Sequence, residues 1–250
     1  MSTQHPSQPT QTGPAVLETE WKRIAGEAAA LCVEDGMAVG LGTGSTAYWA
    51  IAAIGRRLQR GELHDISAVA TSERSARQAI DLGIPLLTLA EQPRLDLAID
   101  GADEVGPSLG LIKGGGGALV REKIVAGLAE RFLVVADERK CVERLGRSFV
   151  LPVAVVPFGW PAAQQLLESL GATVQLRTED RDQPWLSDDG LFILDADFPD
   201  GIDDPDALEV RLELDPAIVC CGLFLGLAER AFIGGQQGLE VLTLTPSPGD

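Results

Sequence analysis

The sequence predicts an α/β protein: a Rossmann-like, mostly parallel sheet with helices on both faces, joined to a smaller α+β unit of ferredoxin-like type. Two patterns carry this. From about residue 17 to 147, short continuous apolar runs alternate with segments of helical periodicity, as strands buried on both faces require. Past about residue 148 the strict alternation gives way to helices and hairpins. With 250 residues, 45% of them hydrophobic, the chain can bury cores of this size.

The elements follow in order. Trp21, Ile24, Ala25, Ala28, Leu31 and Cys32 fall on one helical face, predicting a helix over 19–35 that Gly36 closes. "MAVGLG" reads as a buried strand and "STAYWAIAAIGRRL" as the next helix. A strand "ISAVATS", a helix "ERSARQAIDLG" and a strand "IPLLTL" over 84–89 come next. "LDLAID" is a strand ending in an acidic cluster; a glycine run, the helix "ALVREKIVAGLAE" and the strand "RFLVVAD" complete the first unit. Beyond it lie a helix at 160–170, a strand near 173–176, the polar turn "TEDRDQPWLSDDG" and the strand "LFILDA". The helix "DPDALEVRLE" has Asp204 to cap it and Pro205 at its first position. The domain expectation is a Rossmann-like unit over 17–147 and 223–250, a small α+β unit over 148–222, and a disordered tail over 1–16. The tail "MSTQHPSQPTQTGPAV" is polar and proline-rich and lacks a signal peptide's apolar run.

Composition narrows the function. A net charge of −17 opposes nucleic-acid binding by bulk electrostatics but leaves room for one phosphorylated metabolite held by local donors. No apolar run is long enough for a membrane span. Cys32, Cys141, Cys220 and Cys221 show no CxxC spacing, so reduced thiols and a cytoplasmic location are expected. The two histidines, His5 in the tail and His64 in a loop, argue against a histidine metal site.

Three loops fall at the C-terminal ends of proposed parallel strands, where open α/β sheets bind ligands. "GLGTGSTA" (40–47) offers free amides, a helix start and the hydroxyls of Thr43, Ser45 and Thr46. On its own it is either an anion site or a tight strand-to-helix turn. A dinucleotide fingerprint fits less well, because Ser45 stands at the third glycine and Glu73, the nearest acid, lies too far along. "DLAIDGADEV" places Asp100 and Asp103 around Gly101 and Ala102. Two carboxylates three apart can bind sugar hydroxyls, move a proton or hold a divalent metal, or form a solvated turn. "LIKGGGGALVREKIVAG" sets Lys113 before four glycines, Gly114 to Gly117, and puts Glu122 one turn into the next helix. Glycine costs about 0.5–1 kcal/mol in regular structure. Four in a row make sense where backbone amides must approach a ligand, although Arg121, Glu122 and Lys123 also read as an exposed charged face.

Taken together, "GLGTGST", "DGADEV", "IKGGGGALVREKIVA" and "VVADERKCVERLG" resemble the ribose-5-phosphate isomerase A family in order and spacing. The later "LPVAVVPFGW", "LDADF…DPDALE" and "CCGLF" extend the likeness over residues 20–245. The resemblance implies interconversion of D-ribose 5-phosphate and D-ribulose 5-phosphate without metal or organic cofactor. It implies a homodimer or homotetramer formed through the smaller domain, with neither nucleic acid nor membrane as partner. Carried over by motif, substrate binding falls on Thr43, Gly44, Ser45 and Thr46, on Asp100, Gly101, Ala102 and Asp103, and on Lys113, Gly114, Gly115, Gly116 and Lys140. Glu122 is implied as general base, and Lys22 matches a first-helix lysine that approaches the phosphate.

The chemistry accounts for those residue types. Moving a carbonyl between C1 and C2 needs one carboxylate on one face of a cis-enediol, so Glu122 suffices. The enediolate oxygen needs preorganised donors, which amides of the glycine run and Lys113 can supply. Asp100 and Asp103 are expected to hold hydroxyls, with Asp100 helping to open the furanose ring. Two rival readings are a non-catalytic sugar-phosphate-sensing domain and a dinucleotide-dependent oxidoreductase. The first would carry a DNA-binding helix-turn-helix or basic arm, and the second a third glycine and a ribose-binding acid.

Overall fold

Alternate residues of the central strands face opposite ways, and the two sets of side chains build two separate cores. The computed structural model describes residues 14–179 and 183–244. The first unit runs α1 (Pro14–Ala30), β1 (Ala38–Leu41), α2 (Ala47–Gln59), β2 (Ser67–Ala70), α3 (Glu73–Asp81) and β3 (Leu97–Gly101). The short strands β4 (Glu104–Val105) and β5 (Leu111–Ile112), then α4 (Leu119–Leu128) and β6 (Phe132–Asp137), follow. Val39, Leu41, Leu97, Ile99, Leu133 and Val135 pack with α1 and α2 residues such as Ala25, Ile51 and Ile54. Their neighbours Ala38, Ala98, Val134 and Ala136 pack with Val125 and Ala126 of α4. Helices therefore cover both faces, as the continuous apolar runs require.

After β6 come β7 (Leu151–Val155), α5 (Trp160–Ser169), β8 (Thr173–Leu176), β9 (Phe192–Asp197), α6 (Pro205–Glu213) and β10 (Ile218–Cys221). These four strands form an antiparallel sheet in the order β10-β7-β9-β8, a split β-α-β arrangement of the ferredoxin-like type, over its own apolar cluster. The chain returns through β11 (Leu223–Phe224), β12 (Arg230–Gly235) and β13 (Gly238–Thr243). The main sheet reads β13-β12-β6-β3-β1-β2, parallel except where β13 turns back along β12. A third sheet, β11-β5-β4, is antiparallel and lies where the chain passes between the other two.

Most predicted elements are present, and two need correction. The first helix covers 14–30 rather than 19–35. After Ala30 the amides of Leu31, Cys32 and Val33 tighten to carbonyls three residues back, and Arg57 Nη1 donates to Ala30 O at 2.7 Å and Val33 O at 2.9 Å. The apolar periodicity runs on while the helix itself is closed from outside. Pro14–Val16, placed in the tail by sequence, open this helix; the rest of that tail, with His5, lies outside the described residues. The strand expected over 84–89 shrinks to a single parallel bridge between Ala68 and Leu86. Pro85 has no N–H to extend a ladder, and Glu91 turns the chain by accepting from Thr88 N at 2.9 Å. The cap on α6 is as expected, Asp204 accepting from Ala207 N at 3.0 Å.

Where α1 lies on β12 the backbones nearly touch: a Cβ on Gly234 would sit 2.0 Å from Trp21 O. Gly234→Ala is expected to destabilise the protein by about 2–3 kcal/mol, because a rigid backbone atom fills the space. Urea unfolding monitored by circular dichroism measures it, and an unchanged midpoint would show that α1 can move aside.

Candidate active site

The loops at the C-terminal ends of β1, β3 and β6, the glycine run after β5 and the first helix meet around one cavity of about 440 Å³. Thr43, Gly44, Ser45 and Thr46 line it from β1, Gly101, Ala102 and Asp103 from β3, and Lys140 from the turn after β6. Lys113, Gly114, Gly116 and Glu122 form another wall, and Lys22 enters from α1. Of the residues expected from sequence, Asp100 and Gly115 lie just behind this lining.

Asp100, Lys113 and Glu122 form a buried trio. Lys113 is 2% exposed, with Nζ 3.0 Å from Asp100 Oδ2, 3.2 Å from Glu122 Oε2, and donating to Gly101 O at 2.5 Å. Burial alone would lower the lysine, but the two carboxylates outweigh it and hold it above its ordinary value. Asp100 is pushed up by burial, against the opposing pull of Lys113. It also accepts from Thr43 N at 2.8 Å and Gly101 N at 2.7 Å. Glu122 has no such support: its Oε2 is buried and accepts no hydrogen bond among the described residues. Burial first, then the Asp100 charge, push Glu122 up to about 8, with Lys113 opposing. Both acids are thus pushed up, and Glu122, which lines the cavity, is the one poised to carry a proton near neutral pH.

The approach of Asp100 depends on Gly42, where a Cβ would come within 2.2 Å of the carboxylate. The Thr43 hydroxyl, expected to face the ligand, is instead held among Thr71 Oγ1 at 2.8 Å, Ser72 Oγ at 2.7 Å and Ser75 Oγ at 3.2 Å. The segment "TSERSA" therefore fixes the turn from behind. What remains open toward the cavity is Gly44, Ser45 and Thr46, just before α2, whose N-cap Thr46 makes no side-chain cap. Uncapped amides at a helix start suit an anion.

The four glycines divide by task. Gly114 and Gly117 have φ of +106° and +77°, and Gly117 faces the Trp185 ring, which a Cβ would meet at 2.0 Å. Gly115 lies against Asp103, whose Oδ2 accepts its amide at 2.7 Å. Only Gly116 could accept a Cβ, which would meet Thr43 Cγ2 at 3.7 Å. Not all four amides are available, as the sequence had suggested: Gly115 N–H goes to Asp103 and Gly117 N–H to Gly114 O at 2.9 Å. Among the described residues, the amides of Gly114 and Gly116 have no protein acceptor.

At the far end, Lys22 Nζ donates to Glu18 at 2.5 Å and Arg139 Nη1 donates to the same carboxylate at 2.9 Å. Hydrogen bonds from Arg139 and then Lys22 hold Glu18 at about 2. Glu18 and Arg139 both line the cavity and were missed from sequence. Arg139 could have been found as the neighbour of Lys140 after a strand end, whereas nothing in the first helix marks Glu18. Among the described residues no group of three or more His, Cys, Asp or Glu side chains is arranged to hold a metal ion, and no helix is long and apolar enough to cross a membrane.

Comparison with known proteins gives the family. The family model for ribose 5-phosphate isomerase A (phosphoriboisomerase A) matches residues 67–238. The chain is 49% identical over 222 residues to ribose-5-phosphate isomerase A of Roseiflexus sp. (strain RS-1), covering 89% of this chain and 95% of that protein. It superposes on a D-ribose-5-phosphate isomerase solved with phospho-erythronic acid with a TM-score of 0.87 and 41% identity, over 90% of this chain and 98% of that one. The Methanocaldococcus jannaschii ribose 5-phosphate isomerase A gives a TM-score of 0.84 at 38% identity, over 89% and 97% of the two chains. With the sheet order, the glycine loop and the buried acid–lysine trio in place, the chain belongs to the ribose 5-phosphate isomerase A family.

Proposed function

We propose that the protein is an aldose–ketose isomerase interconverting D-ribose 5-phosphate and D-ribulose 5-phosphate, with Glu122 as its single general base. The observation that carries this is the Glu122 carboxyl: buried on the cavity wall, lacking a hydrogen bond at Oε2, and pushed up to about 8. A base is most effective when its proton affinity lies near the working pH. Glu122 takes the proton from C2, and the C2–H electrons form the C1=C2 bond as the C1 carbonyl becomes an enediolate oxygen. The same carboxyl returns the proton to C1. The O2 hydroxyl proton passes to O1, leaving the carbonyl at C2.

Other groups follow from position. The Gly114 and Gly116 amides and Lys113 face the developing oxyanion. Asp100 lies behind Lys113 and acts through it, keeping it charged, whereas Asp103 is on the wall and can take a sugar hydroxyl. Ser45, Thr46, the start of α2, Lys140, Lys22 and Arg139 supply donors for the phosphate. Binding energy gained there orients the reacting end. The reading needs no metal or organic cofactor.

The proposal extends to organisation. A catalytic unit spans 17–147 and 223–250, and a smaller unit spans 148–222. Val156 and Phe158 after β7, with Val219 on the adjacent β10, are exposed, Phe158 by 98%, which favours association of copies through the smaller unit. Four free cysteines accord with the cytoplasm.

Conversion of D-ribose 5-phosphate by purified protein in EDTA tests the central reading. Turnover that survives the chelator is expected. Absence of turnover, with the sugar phosphate still raising the melting temperature, would make the protein a sensor. A second expectation concerns Gly116→Ala. The added methyl has room in the fold, so the melting temperature stays within about 2 °C while kcat/KM falls about tenfold or more as the methyl projects beside the oxyanion donors. Unchanged kinetics would place the substrate elsewhere on the loop.

A further inference from the structure

A trans peptide aims its N–H opposite to its carbonyl, so whatever holds the carbonyl also decides where the donor points. In the glycine loop that holder is Arg177, just past β8 and more than sixty residues along the chain. Its Nη1 donates to Gly114 O at 3.1 Å and Gly115 O at 3.2 Å. The rest of the guanidinium is fixed by Asp195 on β9, Nε donating to Oδ2 at 2.9 Å and Nη2 to Oδ1. Its carbon lies 5.8 Å from the centre of the Trp185 ring, the ring that occupies the space over Gly117.

The peptide joining Gly114 to Gly115 is thereby held at both ends, by Arg177 on its oxygen and Asp103 on its nitrogen. The next peptide is held at its oxygen only. Its nitrogen belongs to Gly116, which lines the cavity and has no acceptor among the described residues.

We infer that Arg177 is the positioning residue of the glycine loop, setting the Gly115–Gly116 peptide so that the Gly116 N–H faces the enediolate oxygen. This rests on the isomerase reading of the cavity. A guanidinium on the carbonyl also polarises the peptide and strengthens its N–H as a donor. Lysine cannot substitute: one ammonium cannot grip both Asp195 oxygens and two carbonyls in a planar fork.

The test uses full-length wild type, Arg177→Lys and Arg177→Ala. Wild-type turnover of D-ribose 5-phosphate decides the isomerase reading by itself. Both variants are then expected to lose kcat by about ten- to a hundredfold with KM little changed, as a misplaced donor acts on the transition state. Phospho-erythronic acid, whose planar carboxylate resembles the enediolate, should lose affinity by the same factor in calorimetry, while inorganic phosphate binds as before. Millimolar guanidinium should restore part of the turnover of Arg177→Ala. Wild-type kcat in Arg177→Lys overturns the inference, even if Arg177→Ala does not fold. A loss confined to KM, or an equal loss for inorganic phosphate, overturns it too. If wild type proves inactive, unchanged phospho-erythronic acid affinity in Arg177→Lys overturns it, and reduced affinity with phosphate unaffected supports it.

Discussion

Glu122→Gln lowers kcat by about a thousandfold or more and, at alkaline pH, makes the protein more stable. The kinetic effect follows from removing the only proposed base while keeping its size. The stability effect follows from the raised proton affinity, and its sign can be worked out. Below the ordinary carboxyl value of 4.5, folded and unfolded wild type both carry the proton, and wild type and variant unfold alike. Between 4.5 and about 8 the unfolded wild type ionises while the folded protein retains the proton, so its stability falls as pH rises. Above about 8 the buried charge weighs on the fold in full, and glutamine escapes it. That value already includes the pull of Lys113, so the difference is on the order of several kcal/mol, a rise in Tm on the order of 10 °C at pH 9 and almost none at pH 4. In wild type, kcat/KM should climb with pH and level off above about 8, since the base must be ionised to accept the C2 proton. Scanning calorimetry at the two pH values and a pH–rate profile check both halves. Undiminished turnover in the variant would move the base to Asp100 or Asp103.

Lys113→Met has the second largest expected effect, and here activity and stability fall together. The lysine is the nearest positive charge to two buried carboxylates, at 3.0 and 3.2 Å. Removing one partner from a buried ionic cluster costs about 3–5 kcal/mol. At pH 8 the variant should unfold at markedly lower urea. Towards pH 5 both carboxyls, no longer held down by the lysine, take up protons and the deficit shrinks. Turnover should drop at least about a hundredfold throughout, because the oxyanion loses its nearby cation. Equal stability of wild type and variant at pH 8 would mean that the lysine does not offset the charge of Asp100.

Much of this was readable in the sequence, for identifiable reasons. Apolar runs such as Leu97–Ile99 and Phe132–Ala136 can only be strands buried on both faces, and the motif residues Thr46, Asp103, Lys113, Glu122 and Lys140 do meet at one cavity. Two-residue strands such as β4 and β5 have no periodicity to detect, and the third strand of their sheet, β11, pairs with β5 from more than a hundred residues away. The end of α1 was misplaced because Arg57, from another helix, closes it. Glu18 and Arg177 were invisible for a similar reason. Each matters through what it touches in space, and its surroundings in sequence look like any charged surface. The four glycines were recognised as a group, but only geometry separates the two whose amides are spoken for from the two left open.

The seat of α1 has a consequence for how the molecule is made. The first helix carries Lys22 and Glu18 and rests on β12, with Trp21 O against Gly234. That seat is made more than two hundred residues after the helix it receives, and Lys113 likewise waits for Gly222, whose carbonyl accepts its amide at 2.9 Å. A nascent chain can build β1 to β6 early, since those contacts are close in sequence. The end of the cavity that α1 lines and the lysine's backbone anchor close only once β10 to β12 are made. A chain stopped short of β12 would have the sheet's beginnings without the seat that holds α1, and with it Lys22 and Glu18, beside the cavity.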